Sequence, residues 1–156
     1  MRQIGGFTLI ELLVTLALIS LFATMALPLA ELTVKRNQEA ELRASLRQIR
    51  EALDAYKAAA DEGRITLRPG DSGYPANLNV LVEGVVDLTS PQRKLIFFMR
   101  RIPRDPFAER AAKPENSWGK RSYKSSYDRP RAGDDVYDVF SLSTEAGING
   151  VPYNEW

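Results

Sequence analysis

From Phe7 to Ala30 the chain reads FTLIELLVTLALISLFATMALPLA, 24 residues with one charge, Glu11. As a helix rising about 1.5 Å per residue, this stretch is about 36 Å long, against a hydrocarbon core of about 30 Å. It is long enough to span a bilayer. A secretory signal peptide has an apolar region of only about 7–15 residues followed by a small-x-small cleavage site. The run here is longer, and the best site in it, Thr24-Met25-Ala26, is poor. A plain signal anchor would explain the length but not the surroundings: a short polar leader, Met1 to Gly6, carries Arg2 and ends in Gly5-Gly6, and Glu11 follows five residues later. A carboxylate within a spanning helix costs about 2.5–3.5 kcal/mol on insertion scales, so its presence points to a function and a partner.

The composition excludes a good deal. The sequence has no cysteine and no histidine, which removes disulfides, thiolate nucleophiles, Cys/His zinc sites and Ser-His-Asp or Cys-His arrangements. General acid–base chemistry would be left to carboxylates, Lys, Arg and Tyr, so the expectation is that the protein is not an enzyme; an anchored enzyme is the contrasting class. The net charge of +1 hides a segregation. Residues 1–92 hold 9 cations and 11 anions, residues 93–131 hold 12 and 4, and residues 132–156 hold none and 5. Aromatic residues interleave with the basic stretch, a mixture that can contact nucleic acid. The expectation is nonetheless a solvated or acid-paired face, because aromatics at strand and helix spacing usually belong to a core.

Beyond Ala30 the pattern turns amphipathic. Leu42, Leu46, Ile49, Leu53, Tyr56 and Ala60 recur at spacings of four and three, flanked by Arg43, Arg47, Arg50, Glu51 and Asp54. Neither Gly nor Pro occurs between Glu31 and Glu62, so one helix is expected from Phe7 to about Glu62, stopped by Gly63. Asn77 is expected to cap a short helix ended by Gly84. A second short helix is expected after Ser90-Pro91, with Leu95, Phe98, Met99 and Ile102 on one side. Strands are expected over 122–127 and 136–142, the latter with Val136, Phe140 and Leu142 facing one way. An α+β unit results, a small antiparallel sheet with a C-terminal loop laid on the long helix. The divisions are 1–6 leader, 7–30 apolar helix, 31–62 amphipathic continuation and 63–156 globular domain.

Gly6-Phe7-Thr8-Leu9-Ile10-Glu11-Leu12-Leu13 resembles the type IV prepilin signature shared by type IV pilins and type II secretion pseudopilins. The resemblance implies a pilin-like fold and cleavage between Gly6 and Phe7 by a prepilin peptidase on the cytoplasmic side. It also implies methylation of the Phe7 amine and pairing of Glu11 with the terminal amine of a neighbouring subunit. Pro28 would kink the helix, as prolines inside helices do. The protein would be a single-pass protein of the inner membrane with its domain in the periplasm.

Farther along, Pro103-Arg104-Asp105-Pro106-Phe107, then Trp118-Gly119, then Asp135 to Ser141, and a Gly-containing loop running to Trp156 are similar to the G-type major pseudopilin. That resemblance implies a structural subunit polymerising with other pseudopilins on an inner-membrane assembly platform, to help drive folded proteins across the outer membrane. A type IV pilin or competence pseudopilin binding DNA or surfaces is the alternative. The subfamily often binds calcium in its C-terminal loop, but Ser143 to Gly150 contains no Asp. A metal needing six to eight oxygens is therefore poorly served, and no cofactor is expected.

Overall fold

The computed structural model describes residues 7–156, the side chains of 25–27 excepted. Its first element, α1, is a helix of 53 residues, Leu9–Asp61, with Pro28 inside it. The fold is α+β, a long N-terminal helix with small antiparallel ladders, consistent with a pilin-like fold. Two compact units divide the chain, one up to Asn37 and one from Gln38 to Trp156.

In the first unit every described side chain from Phe7 to Val34 is exposed. The helix starts where Thr8 accepts the Glu11 amide on Oγ1 at 3.3 Å and the Leu12 amide on its carbonyl at 3.2 Å. This is an N-cap that satisfies donors the first turn cannot.

In the second unit the expected stripe is the core. Leu42, Leu46, Ile49, Leu53, Tyr56 and Ala60 are all buried, and all but Ala60 cluster with Leu78, Leu81, Met99, Trp118, Val136, Val139 and Tyr153. The helix ends as Gly63 implies. Gly63 takes a φ of 71° and donates to the Ala60 carbonyl at 3.0 Å, while Arg64 donates to Ala59 at 3.0 Å. That pair of bonds is a Schellman closure, which needs the left-handed backbone that glycine adopts freely. Asn77 Oδ1 accepts the amides of Asn79 and Val80 at 3.0 and 3.3 Å, leading into α2, Val80–Glu83, which Gly84 ends.

The second short helix expected after Ser90 does not form. Ser90 to Arg93 close a turn, with the Arg93 amide on the Ser90 carbonyl at 2.9 Å and Arg93 at a φ of 49°. The chain then returns as β2, Leu95–Ile96, antiparallel to β1, Val85–Val86. The amides of Phe98 and Met99 are drawn to the Leu81 carbonyl at 3.0 and 3.1 Å instead of to a helical turn. The apolar spacing at 95, 98, 99 and 102 comes from a strand followed by bends, and β-branched Val85, Val86 and Ile96 favour the pairing.

The first expected strand also moves. β3 is Trp118–Arg121, pairing antiparallel with β4, Asp138–Ser141. Residues 122–127 form a loop, because Ser122 donates to the Arg131 carbonyl and Ser125 to the Ser122 carbonyl. Within β4 the buried residues are Val139 and Ser141; Val136, ahead of the strand, is buried as expected, whereas Phe140 is half-buried and Leu142 exposed, against the expected face. Two cross-strand contacts explain this. Phe140 lies over Gly119, its partner across the ladder, and Ser141 faces buried Trp118 while its hydroxyl reaches an acceptor in the core. A Cβ on Gly119 would stand 2.3 Å from the Phe140 ring. Gly119→Ala is accordingly expected to destabilise the domain by about 1–3 kcal/mol, the cost of overpacking, read as a lower urea midpoint of the full chain in detergent.

Candidate functional site

Two places carry the residues that the sequence singles out. In the first unit, Phe7 is 85% exposed one turn ahead of Glu11, which lies in the first turn of α1. Gly6 lies outside the described residues. An acidic side chain in a first turn is favoured by the helix dipole, which lowers the expense of placing it there. The hydroxyls in this helix satisfy themselves: Thr15, Ser20, Thr24 and Thr33 donate to the carbonyls of Leu12, Leu16, Leu21 and Leu29 at 2.7–2.9 Å. Such back-bonding suits a helix whose surroundings offer no water. Glu11 has no hydrogen bond or ion pair to its carboxylate among the described residues. It is also the sole charge between Phe7 and Ala30, so within the apolar stretch it is the charged group without a partner among the described residues. Pro28 is helical on both sides.

The second place joins the weaker motifs to the long helix, and its centre is a residue the sequence reading missed. Glu39 is 4% exposed. Its Oε1 accepts the Ile148 amide at 2.6 Å and the Tyr153 hydroxyl at 3.2 Å, and Arg43 lies 3.6 Å from Oε2. Tyr153 is fully buried, stacked on Phe107 with ring centroids 4.0 Å apart and edge-on to Trp156. Burial, and then the bond to Glu39, push the Tyr153 phenol up to about 12. Arg43 lies over the Trp156 ring, 4.4 Å from its centroid. One helical stretch farther along, Arg50 donates to Asp138 at 2.8 Å and to the carbonyls of Val139 and Trp156 at 3.1 and 3.0 Å. Glu39, Arg43 and Arg50 thus tie the C-terminal loop and β4 to the face of α1.

The remaining motifs support the same assembly. Asp105, 1% exposed, accepts the Ser141 hydroxyl at 2.6 Å and the Phe107 amide at 2.8 Å, and its own amide donates to the Ser117 hydroxyl. Trp118 donates from Nε1 to the Pro103 carbonyl at 2.8 Å. The segments 103–107, 118–119 and 135–141 therefore meet in one network that holds the sheet and positions Phe107 under Tyr153. Asp135 serves its own segment. Burial raises its carboxyl, but hydrogen bonds from Ser72, Ser122 and the Tyr123 amide outweigh this and leave it lowered. In the basic stretch, Phe107 and Trp118 belong to these contacts. Tyr123 packs against Tyr74 and Tyr137, and Arg121 pairs with Asp138.

The C-terminal loop does not fit calcium. Glu145 is the one carboxylate between Ser143 and Val151. The carbonyls of Glu145, Gly147 and Val151 already accept the amides of Tyr153, Gly150 and Gly147, and Glu39 faces two donors. Among the described residues no three acidic side chains cluster. A loop with one carboxylate supplies few of the six to eight oxygens that calcium takes.

Residues 1–27 match the family model of the prokaryotic N-terminal methylation motif. That motif supports a type IV prepilin-like protein, and together with one exposed apolar helix it fits a membrane-anchored, single-pass chain. No curated protein and no solved structure matches the chain.

Proposed function

We propose that this chain is a structural subunit of a type II secretion pseudopilus. In this reading it is cleaved by a prepilin peptidase between Gly6 and Phe7 and methylated on Phe7. It is held in the inner membrane with its domain in the periplasm, and it polymerises on an inner-membrane platform to help move folded proteins across the outer membrane. It works as a building block and not as a catalyst. The observation that carries this reading is Glu11, a carboxylate without a partner among the described residues, on an exposed apolar helix and within the methylation motif. In a bundle of such helices an unpaired carboxylate is costly, and the Phe7 ammonium of a neighbouring subunit offsets the cost. Charge pairing then fixes the register between subunits. The motifs gathered around Asp105 support a G-type subunit, one whose C-terminal loop departs from the calcium-binding pattern and is tied to the helix through Glu39.

Glu11→Ala is expected to insert and be processed as the parent chain is, yet to yield less than a tenth of the parent's polymer when membranes are cross-linked and resolved by size. An undiminished polymer yield from that variant would defeat the reading. Secretion separates this function from the pilus or DNA-uptake alternative. Deleting the gene should trap specific folded proteins in the periplasm, whereas an unchanged set of secreted proteins would favour the alternative.

A further inference from the structure

The β1–β2 hairpin has an apolar face that nothing among the described residues covers. Val86 and Leu95 are cross-strand partners. Just beyond the two-pair ladder, on the face that Val86 and Leu95 share by alternation, Phe97 lies over Gly84, where a Cβ would come within 2.9 Å of its ring. Gly84 thus lets the Phe97 ring lie across the strand. Val86, Leu95 and Phe97 remain 41–60% exposed, while the other face, through Val85, packs on the core. Arg93 and Lys94 stand exposed at the turn of this hairpin with no ion pair among the described residues.

A groove of about 490 Å³ elsewhere in the same unit has the opposite character. Phe107, Ala112 and Leu142 give it an apolar patch beside four uncharged polar residues, and Glu109 and Glu145 border it, both exposed and without an ion pair among the described residues. Arg110 and Lys113 belong to the same loop but do not line the groove. An apolar face flanked by two cations and a groove with an apolar patch edged by two carboxylates, none of the four in an ion pair among the described residues, are complementary in charge and in part in polarity, and both lie on one chain. Two different patches that match each other make a heterologous contact, the kind that propagates into an open filament and does not close into a dimer. Like charges facing each other across a wrong register would oppose misalignment.

We propose that the hairpin face of one copy docks in the Phe107–Leu142 groove of the next, with Arg93 and Lys94 against Glu109 and Glu145. The proposal rests on the filament reading and names the contact between globular domains within it. The covering partner is a second copy of this chain.

The chain's lack of cysteine makes the test direct. Full-length Leu95→Cys and Leu142→Cys chains, each at an exposed position, are assembled in membranes separately and mixed, then treated with a short bis-maleimide. A covalent dimer is expected in the mixture and not in either variant alone, and a chain carrying both substitutions should give a ladder of oligomers. Lys94→Glu should reduce the mixed dimer at least fivefold, and Glu145→Lys in the partner should restore it. Electron microscopy of the same membranes scores the polymer independently. Filaments without the mixed dimer would overturn the hairpin contact and leave the filament reading standing, whereas an absence of filaments would overturn both. Dimers from either single variant alone would mean an isologous contact and would also overturn the proposal.

Discussion

Glu39→Ala is expected to free the C-terminal loop from the long helix and to cost the domain about 2–6 kcal/mol, the penalty for leaving two donors without their acceptor. The carboxylate accepts two donors that have no other acceptor among the described bonds, the Ile148 amide and the Tyr153 hydroxyl, and it faces Arg43. Deleting it leaves a fully buried phenol and a loop amide unsatisfied, each a penalty of about 1–3 kcal/mol before the loop relaxes. Stabilities of small domains run to about 5–15 kcal/mol, so the loss would be a large share of the total. Hydrogen exchange reads it directly. Protection should fall across 145–156 by at least tenfold, with the core stripe Leu42 to Leu53 less affected. Tyr153→Phe, which removes one donor and keeps the ring stack on Phe107, should show a smaller loss. Neither chelator nor added calcium should shift the parent chain's thermal midpoint, and a drop of several degrees with chelator would show that the carboxylate does not close the loop by itself. The phenol adds a pH signature. Its value is raised from 10 to about 12 in the folded chain, so its contribution is fully present below pH 10 and is lost as pH rises through 12. That loss should vanish in Tyr153→Phe.

The reach of the sequence can be judged from these same residues. The helix and its stripe were legible because a 3.6-residue period over five turns has few other readings, and Gly63 has one use at a helix end. Glu39 was not legible, since a charged residue on a long helix is ordinarily a solvated one. A signal was nevertheless present: positions 39, 42, 46, 49 and 53 continue one stripe at steps of three and four, and Glu39 sits on its buried side. The failed helix after Ser90 shows the converse. Four apolar residues over eight positions fit a helix face and a strand followed by bends equally well, and tertiary pairing with β1 decided between them. In β4 the apolar alternation pointed to Phe140 and Leu142, whereas a polar residue, Ser141, took the inner face. Only the position of Asp105, 36 residues earlier, shows why, and no local pattern carries that information.

Asp105→Ala is the second change with a large expected effect, and it separates a structural role for the 103–107 segment from a functional one. Asp105 is buried without any cation beside it among the described ion pairs, and its charge is held by the Ser141 hydroxyl and the Phe107 amide. Truncation leaves a fully buried hydroxyl on β4 without its acceptor and frees the turn that sets Phe107 under Tyr153. The expected cost is about 2–4 kcal/mol, since bonds to a charged group are worth about 1.5–3 kcal/mol each and part is regained as the site relaxes. Asp105→Asn keeps the shape and one acceptor, so about half that loss is expected. Asp105 and Glu39 act on opposite sides of the Phe107–Tyr153 stack, so the double substitution should cost less than the sum of the two, because either change already loosens the shared rings. Urea unfolding of the four chains in detergent measures this coupling. Losses that add fully would mean that the segment 103–107 supports β4 alone, and that the loop is held by the helix without its help.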